Sequence, residues 1–167
     1  GFCVGDLVGD KDGLTAAVVF AEAVAVQRAR GRIVLDVLDD LARAHGVHLT
    51  GQWSVRVAGT DATARLAAAM AAMRADPPTA LAGRAVTSIT DLLHGDPARG
   101  FPPSDVLTIF LDGARVVVRP SGTEPKLKCY VEVVEPVAAD DLSAARGRAA
   151  EALGAITAAI AAATGLA

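Results

Sequence analysis

The sequence predicts an α+β fold, in which an antiparallel sheet packs against helices and a helical piece precedes the whole. Three observations predict it. Residues 106–134 alternate apolar and polar side chains with the period of strands; Leu127, Cys129, Val131 and Val133 stand against Lys128, Tyr130 and Glu132. Asp112-Gly113 interrupts that run as the dipeptide favoured in type I′ hairpins, so its neighbouring strands run antiparallel. Helical patterns flank the β-rich region on each side in sequence, and a sheet of this kind buries its apolar face against such helices.

Taken in order, Asp12 is the N-cap of a helix over Gly13 to Arg30, with Thr15 at N3. The body of this helix, 16–21, is apolar on nearly every face and calls for cover on several sides. A second helix over Ile33 to His45 carries the stripe Leu35, Leu38, Leu41 and Ala42, and Gly46 reads as its C′ residue. From His48 to Ala58 the pattern turns extended, with Trp53, Val55 and Val57 against Ser54 and Arg56. Thr60 caps a third helix that runs to Arg74, repeats Leu66, Met70 and Met73, and stops at Asp76-Pro77-Pro78. A strand over Arg84 to Ile89 leads into a loop rich in Gly and Pro. Strands over Val106–Leu111 and Arg115–Arg119 follow, and Asp140 or Asp141 caps the last helix. The organisation is therefore a helical piece over residues 1–50 and an α+β unit over 51–167.

A chain of 167 residues with 52% hydrophobic and 21% charged residues is one domain, or one and a fraction, and buries a core without disulfides or metal. Its net charge of −3 argues against nucleic acid as a default partner. Cys3 and Cys129 lie far apart with no metal-knuckle spacing, as two reduced, buried thiols of a cytoplasmic protein would. Residues 152–167 carry no charge but fall short of the roughly 20 residues of a membrane span, so they read as a buried helix. No signal peptide is visible, and the opening Gly1-Phe2-Cys3-Val4-Gly5 reads as a cut through a folded domain, hence a fragment.

Chemistry concentrates in Arg119-Pro120-Ser121-Gly122-Thr123-Glu124-Pro125-Lys126-Leu127-Lys128. Arg119 offers a planar fork that matches two phosphate oxygens. Ser121 and Thr123 offer hydroxyls, and Gly122 permits positive φ and close approach of backbone N–H groups to an anion. Pro120 and Pro125 stiffen both ends, and Lys126 and Lys128 add charge. A weaker site lies at Gly9-Asp10-Lys11-Asp12-Gly13, where Lys11 precedes a helix N-terminus; a solvated Lys neutralised by its two Asp neighbours is the plain alternative. The chain has three lysines against thirteen arginines, and all three fall in these two segments. His45 and His48 have no third ligand near in sequence and read as surface histidines. No nucleophile–base pair and no P-loop, GxSxG or HExxH motif is present.

Residues 119–130, RPSGTEPKLKCY, resemble the phosphate-binding loop in the C-terminal domain of the α-D-phosphohexomutases, the phosphoglucomutases and phosphomannomutases. The opening run GFCVGDLVGDKDGLTAAVVFAE is similar to the end of that family's third domain, and Gly59, Pro77-Pro78, Ala82-Gly83 and 103–106 match the way the two domains join. The resemblance implies that residues 1–50 are the C-terminal remnant of the third α/β domain and 51–167 the fourth, C-terminal domain. It implies a mutase that interconverts sugar 1-phosphate and sugar 6-phosphate, glucose or mannose, through a phosphoserine and a bisphosphorylated sugar. Mg²⁺ in such an enzyme is bound by a second domain that this chain lacks. Arg119, Ser121, Gly122 and Thr123 would clamp the phosphate that is not reacting, with Lys128 and Lys11 as further phosphate contacts. No catalytic or metal-binding residue is expected in the fragment, which would be inactive alone. Its partners would be a phosphosugar and the remaining domains of its parent chain, not a membrane. A phosphopentomutase of the same family, or a non-catalytic module that binds a phosphorylated partner, is the competing reading.

Overall fold

The computed structural model describes residues 4–6, 8–138 and 141–166. Cys3 and Asp140, for which the sequence suggests a buried thiol and a helix cap, lie outside the described residues. The chain divides into two compact units, Gly1–Ala44 and His45–Ala167.

The first unit holds α1 (Gly13–Ala29) and most of α2 (Val34–His45). Asp12 caps α1 as the sequence predicts: its Oδ1 accepts from the Leu14 and Thr15 amides, and its Oδ2 from the Thr15 hydroxyl at 2.8 Å. Asp36 reaches back to accept from the Ile33 amide at 2.8 Å and so starts α2. The expected cover of α1 is not found: neither helix has a buried residue among those described. Leu14 is 82% exposed, Phe20 60% and Leu35 63%. The physical reason is that the described residues of this unit form two helices and no sheet, so the apolar faces of α1 and of the Leu35–Leu38–Leu41 stripe have no layer among them for burial.

Among the described residues the second unit is an antiparallel sheet of six strands with two α-helices and a short 3-10 turn at Pro97–Arg99. Its strands are β1 (Val47–Arg56), β2 (Ala80–Leu81), β3 (Arg84–Asp91), β4 (Leu107–Leu111), β5 (Ala114–Pro120) and β6 (Lys126–Glu135), in the order β1-β6-β5-β4-β3-β2. The helices are α3 (Ala62–Ala75) and α4 (Leu142–Ala163). α4 packs on β1 and β6 and also touches β2 at the opposite end of the strand order, so the sheet curls about it. β1 begins at Val47, so residues 47–50 belong to the sheet rather than to the helical piece. Gly46, which follows α2, has φ of +90° in keeping with its reading as C′.

The alternation seen in the sequence is the alternation of burial. Leu107, Ile109, Val116, Val118, Leu127, Cys129, Val131 and Val133 face inward and meet Met70 and Met73 of α3 and Ile156 and Ile160 of α4. Ile156 and Ile160 are fully buried, so the uncharged tail is a core helix, and no helix among the described residues is long and apolar enough to cross a membrane. Burial pushes the Cys129 thiol up to about 12, which keeps it protonated.

Two local readings need correction, the cap of the third helix and the Asp112-Gly113 turn, while the cap of the last helix is one of the two residues the sequence offers. Asp61, not Thr60, is the residue at the N-cap of α3, and its side chain makes no capping hydrogen bond. Asp141 caps α4 by accepting from the Ala144 amide at 2.9 Å. The Asp112-Gly113 turn is not type I′, which requires positive φ at both residues; only Gly113 has it, at +64°. The turn with positive φ at both residues lies at Ala82 (+50°) and Gly83 (+78°), between the paired Leu81 and Arg84.

The long connection between β3 and β4 is tied down by one side chain. Arg74, at the end of α3, donates to Asp91 at 2.9 and 3.2 Å and to Asp105 at 2.6 Å, which joins both ends of the connection to the helix. Burial works against the charge on Arg74, yet the two carboxylates prevail and raise its pKa. Burial likewise works to raise Asp91, but Arg74 and the Leu93 amide hold it below its ordinary value.

Ala82 adopts a left-handed conformation that an L side chain with a Cβ disfavours by about 1 kcal/mol and that Asn tolerates better. Ala82→Asn should therefore raise stability by about 0.5–1 kcal/mol in urea unfolding. An unchanged or lower midpoint would show that this turn is not held in the type I′ form.

Candidate functional site

The loop Ser121–Pro125 joins β5 to β6, and the pairing of those two strands sets what lies at its base. Their register places Arg119 directly opposite Lys128, with Pro120 opposite Leu127. Inward-facing Val118 and Cys129 are fully buried, so Arg119 and Lys128 point to the other, open face of the sheet. Like charges set directly opposite one another destabilise a sheet. Among the described residues neither Arg119 nor Lys128 makes an ion pair, so this repulsion has no counter-charge from the protein itself.

One position further along the same face, Arg56 at the end of β1 stands opposite Lys126 at the start of β6. This second cation pair is bridged, and half of its charge offset, by one carboxylate of the loop. Glu124 accepts from Arg56 through Oε1, and its Oε2 lies 3.1 Å from the Lys126 ammonium. Lys126, by its hydrogen bond and charge, and then Arg56, hold the Glu124 carboxyl below its ordinary value. Backbone bonds fix the rest of the loop: the Ser121 amide donates to the Lys126 carbonyl at 2.8 Å, and the Val57 amide donates to the Pro125 carbonyl at 2.9 Å.

On its other side the loop borders a cleft of about 490 Å³. Ser121, Gly122, Thr123 and Glu124 line it together with Gly59 and Thr60 just before α3, Thr63 in its first turn, and Asp105. Gly59 is required where it stands, because its φ is +105° and a Cβ there would lie 2.8 Å from Asp61 Oδ1. Gly122 differs from its sequence reading. Its φ is not positive, and a Cβ would meet nothing within 4 Å. The glycine therefore leaves open space over the loop rather than a special backbone shape.

The structure thus gathers Arg119, Ser121, Gly122, Thr123 and Lys128 around one loop, with the two cations on the sheet face and the hydroxyls on the cleft. Lys11 belongs to the first unit, where its ammonium donates to Asp10 at 2.9 Å. The Lys11 side chain and amide hold the Asp10 carboxyl below its ordinary value, while the Thr15 hydroxyl and the Leu14 amide do the same for Asp12. Both carboxylates are committed to these contacts, and among the described residues no cluster of three His, Cys, Asp or Glu is placed to hold a metal. These residues do not fit a Mg²⁺ site. His48 stands on β1, 3.6 Å from Glu132, as a surface group.

Sequence reading missed Arg56 and Glu124 as partners in the site, and Thr63 on its rim. Arg56 shows in the sequence only as the polar member of an alternation, because its pairing with Lys126 spans about seventy residues of chain. Glu124 had a local signal, its position two residues before Lys126 in a stretch of otherwise uniform positive charge.

The lowered pKa of Glu124 has a definite sign. A carboxylate held below its ordinary value, 4.5 here, contributes stability above that value and loses it as pH falls through the lowered one. The stability difference between the unvaried chain and Glu124→Gln should therefore shrink on acidification from about pH 6 to about pH 3. Urea midpoints that keep a constant difference across that range would contradict the bridge.

Residues 56–149 match the family model described as the phosphoglucomutase/phosphomannomutase C-terminal domain. Similar proteins include a probable phosphomannomutase of Haemophilus influenzae, 37% identical over 128 residues that make up 76% of this chain and 25% of the relative. A phosphoglucomutase of Staphylococcus epidermidis is 30% identical over 142 residues, 80% of this chain and 26% of its own. One from Staphylococcus aureus is 27% identical over 145 residues, 81% and 26%. The chain spans about a quarter of the length of the curated relatives it matches. The matched region runs from the end of β1 through the loop into α4, more than half of the chain, and by it the chain belongs to the phosphoglucomutase/phosphomannomutase family as a carrier of that family's C-terminal domain.

Proposed function

We propose that this chain is part of a phosphohexomutase, which interconverts sugar 1-phosphate and sugar 6-phosphate with glucose or mannose as the sugar. In this reading a phosphoserine elsewhere in the enzyme donates its phosphoryl group, a bisphosphorylated sugar reorients, and its other phosphate returns to the serine. The part played by the present chain is to hold the phosphate that is not reacting. The observation that carries the reading is the opposed pair Arg119 and Lys128, two cations without a protein counter-charge at the base of a loop that offers Ser121, Gly122 and Thr123. An anion placed at the pair relieves its repulsion through charge-assisted hydrogen bonds.

The chemistry explains why such a clamp matters. Phosphoryl transfer depends on positioning and charge stabilisation, so fixing the distal phosphate aligns the reacting one. Lys11 is a further phosphate contact in this reading, one that exchanges its Asp10 partner for the ligand. Mg²⁺, which would stabilise charge during transfer, belongs to a segment outside residues 1–167. The exposed apolar faces of α1 and α2 support the reading of the first unit, residues 1–44, as part of a third α/β domain whose other elements would cover them. The second unit, residues 45–167, is then the fourth domain of a cytoplasmic enzyme, and the 167-residue chain has no mutase activity of its own.

Arg119→Ala in the full-length mutase should raise KM and lower kcat together, with kcat/KM falling by about 10- to 100-fold for the loss of a charge-assisted phosphate contact. Turnover of glucose 1-phosphate, mannose 1-phosphate and ribose 1-phosphate, with the 167-residue chain as control, tests the reading and ranks the sugars. An unchanged kcat/KM would overturn the clamp assignment.

A further inference from the structure

Four cations stand in adjacent positions at one end of the open sheet face: Arg56 opposite Lys126, and Arg119 opposite Lys128. Glu124 is the acidic residue of the loop between them, and its two oxygens go to the first pair. Its bond to Arg56 joins β1 to the loop, next to the backbone bond from Val57 to Pro125. The carboxylate thus acts at the seam where an edge strand meets the loop.

We propose that Glu124 is a positioning residue of the phosphate loop: its bridge between Arg56 and Lys126 silences one opposed cation pair and holds the loop, which reserves Arg119 and Lys128 for the ligand. This rests on the reading of the loop as a phosphate clamp and extends it to the residue that sorts the charges. Without the bridge, four like charges face one another across three strands, the strand ends separate, and the loop loses the shape set by its bonds to Val57 and Lys126.

Simple electrostatics predicts the opposite result, because removal of a negative charge beside an anion site should tighten anion binding. The two accounts therefore differ in sign. The test is the affinity of the 167-residue chain for inorganic phosphate, read from amide chemical shifts at constant ionic strength, with urea midpoints measured in parallel. Glu124→Gln should weaken phosphate binding by about fivefold, and Arg56→Gln added to it should recover at least half of the loss, because it removes the charge that the bridge had neutralised. Arg119→Ala, run beside them, should abolish binding. If Glu124→Gln binds as tightly as the unvaried chain or more tightly while Arg119→Ala does not bind, the proposal falls and the clamp stands. If the double variant recovers nothing, Glu124 serves the fold alone and the proposal falls. If the unvaried chain does not bind phosphate, or Arg119→Ala binds equally well, the clamp falls and the proposal with it. Should Glu124→Gln fail to fold, Glu124→Asp decides: a loss intermediate in size supports the proposal, and unvaried affinity overturns it.

Discussion

The site depends on the register between β5 and β6, which sets Arg119 and Lys128 side by side on the open face of the sheet. That register is fixed by the other face. Val116, Val118, Leu127, Cys129 and Val131 are buried to within about a hundredth of their surface, and a slip of β6 by one residue would turn Leu127, Cys129 and Val131 to solvent and bury Lys126 and Lys128. The apolar core thus sets two like charges opposite one another across the strands. A local conflict held in place by a well-packed region marks a functional position more reliably than an isolated basic residue does.

The same logic extends outward to β1. This edge strand pairs with β6 along its whole length, and its last residue delivers Arg56 to the loop from about seventy residues away in sequence. Glu124 then separates the cations into a pair that the protein bridges with one carboxylate and a pair that it leaves open. On the opposite side of the loop, the start of α3 completes a cleft in which Thr60 and Thr63 add hydroxyls to those of Ser121 and Thr123. The tie from Arg74 to Asp91 and Asp105 holds that helix against the connection that carries Asp105 to the cleft. Loop, strand edge and helix start are therefore parts of one constellation built on the second unit.

Much of this was legible in the sequence because the signals were local. The period-two run through Leu127, Cys129, Val131 and Val133 reports burial directly, and the capping geometry of Asp12 is a matter of three residues. The readings that failed involve competition between local preference and context. Asp112-Gly113 has the composition of a type I′ turn, but the turn with positive φ at both residues is at Ala82-Gly83, where an alanine accepts strain that its own propensity opposes. The apolar faces of α1 call for cover in the sequence, and among the described residues of their unit none supplies it. The candidate site was legible as a list of residue types in Arg119 to Lys128. Its charge sorting was not, because Arg56 reaches the loop only through a long-range strand pairing.

The central claim is that the protein tolerates the Arg119–Lys128 contact for the sake of an anion, and Lys128→Glu tests it most directly. That change gives Arg119 an opposite charge across the strands, a pair worth roughly 0.2–1 kcal/mol. The account predicts that the 167-residue chain gains stability in urea and at the same time loses the stabilisation that added phosphate confers. A chain that becomes less stable, or that phosphate still stabilises to the same degree, would contradict it.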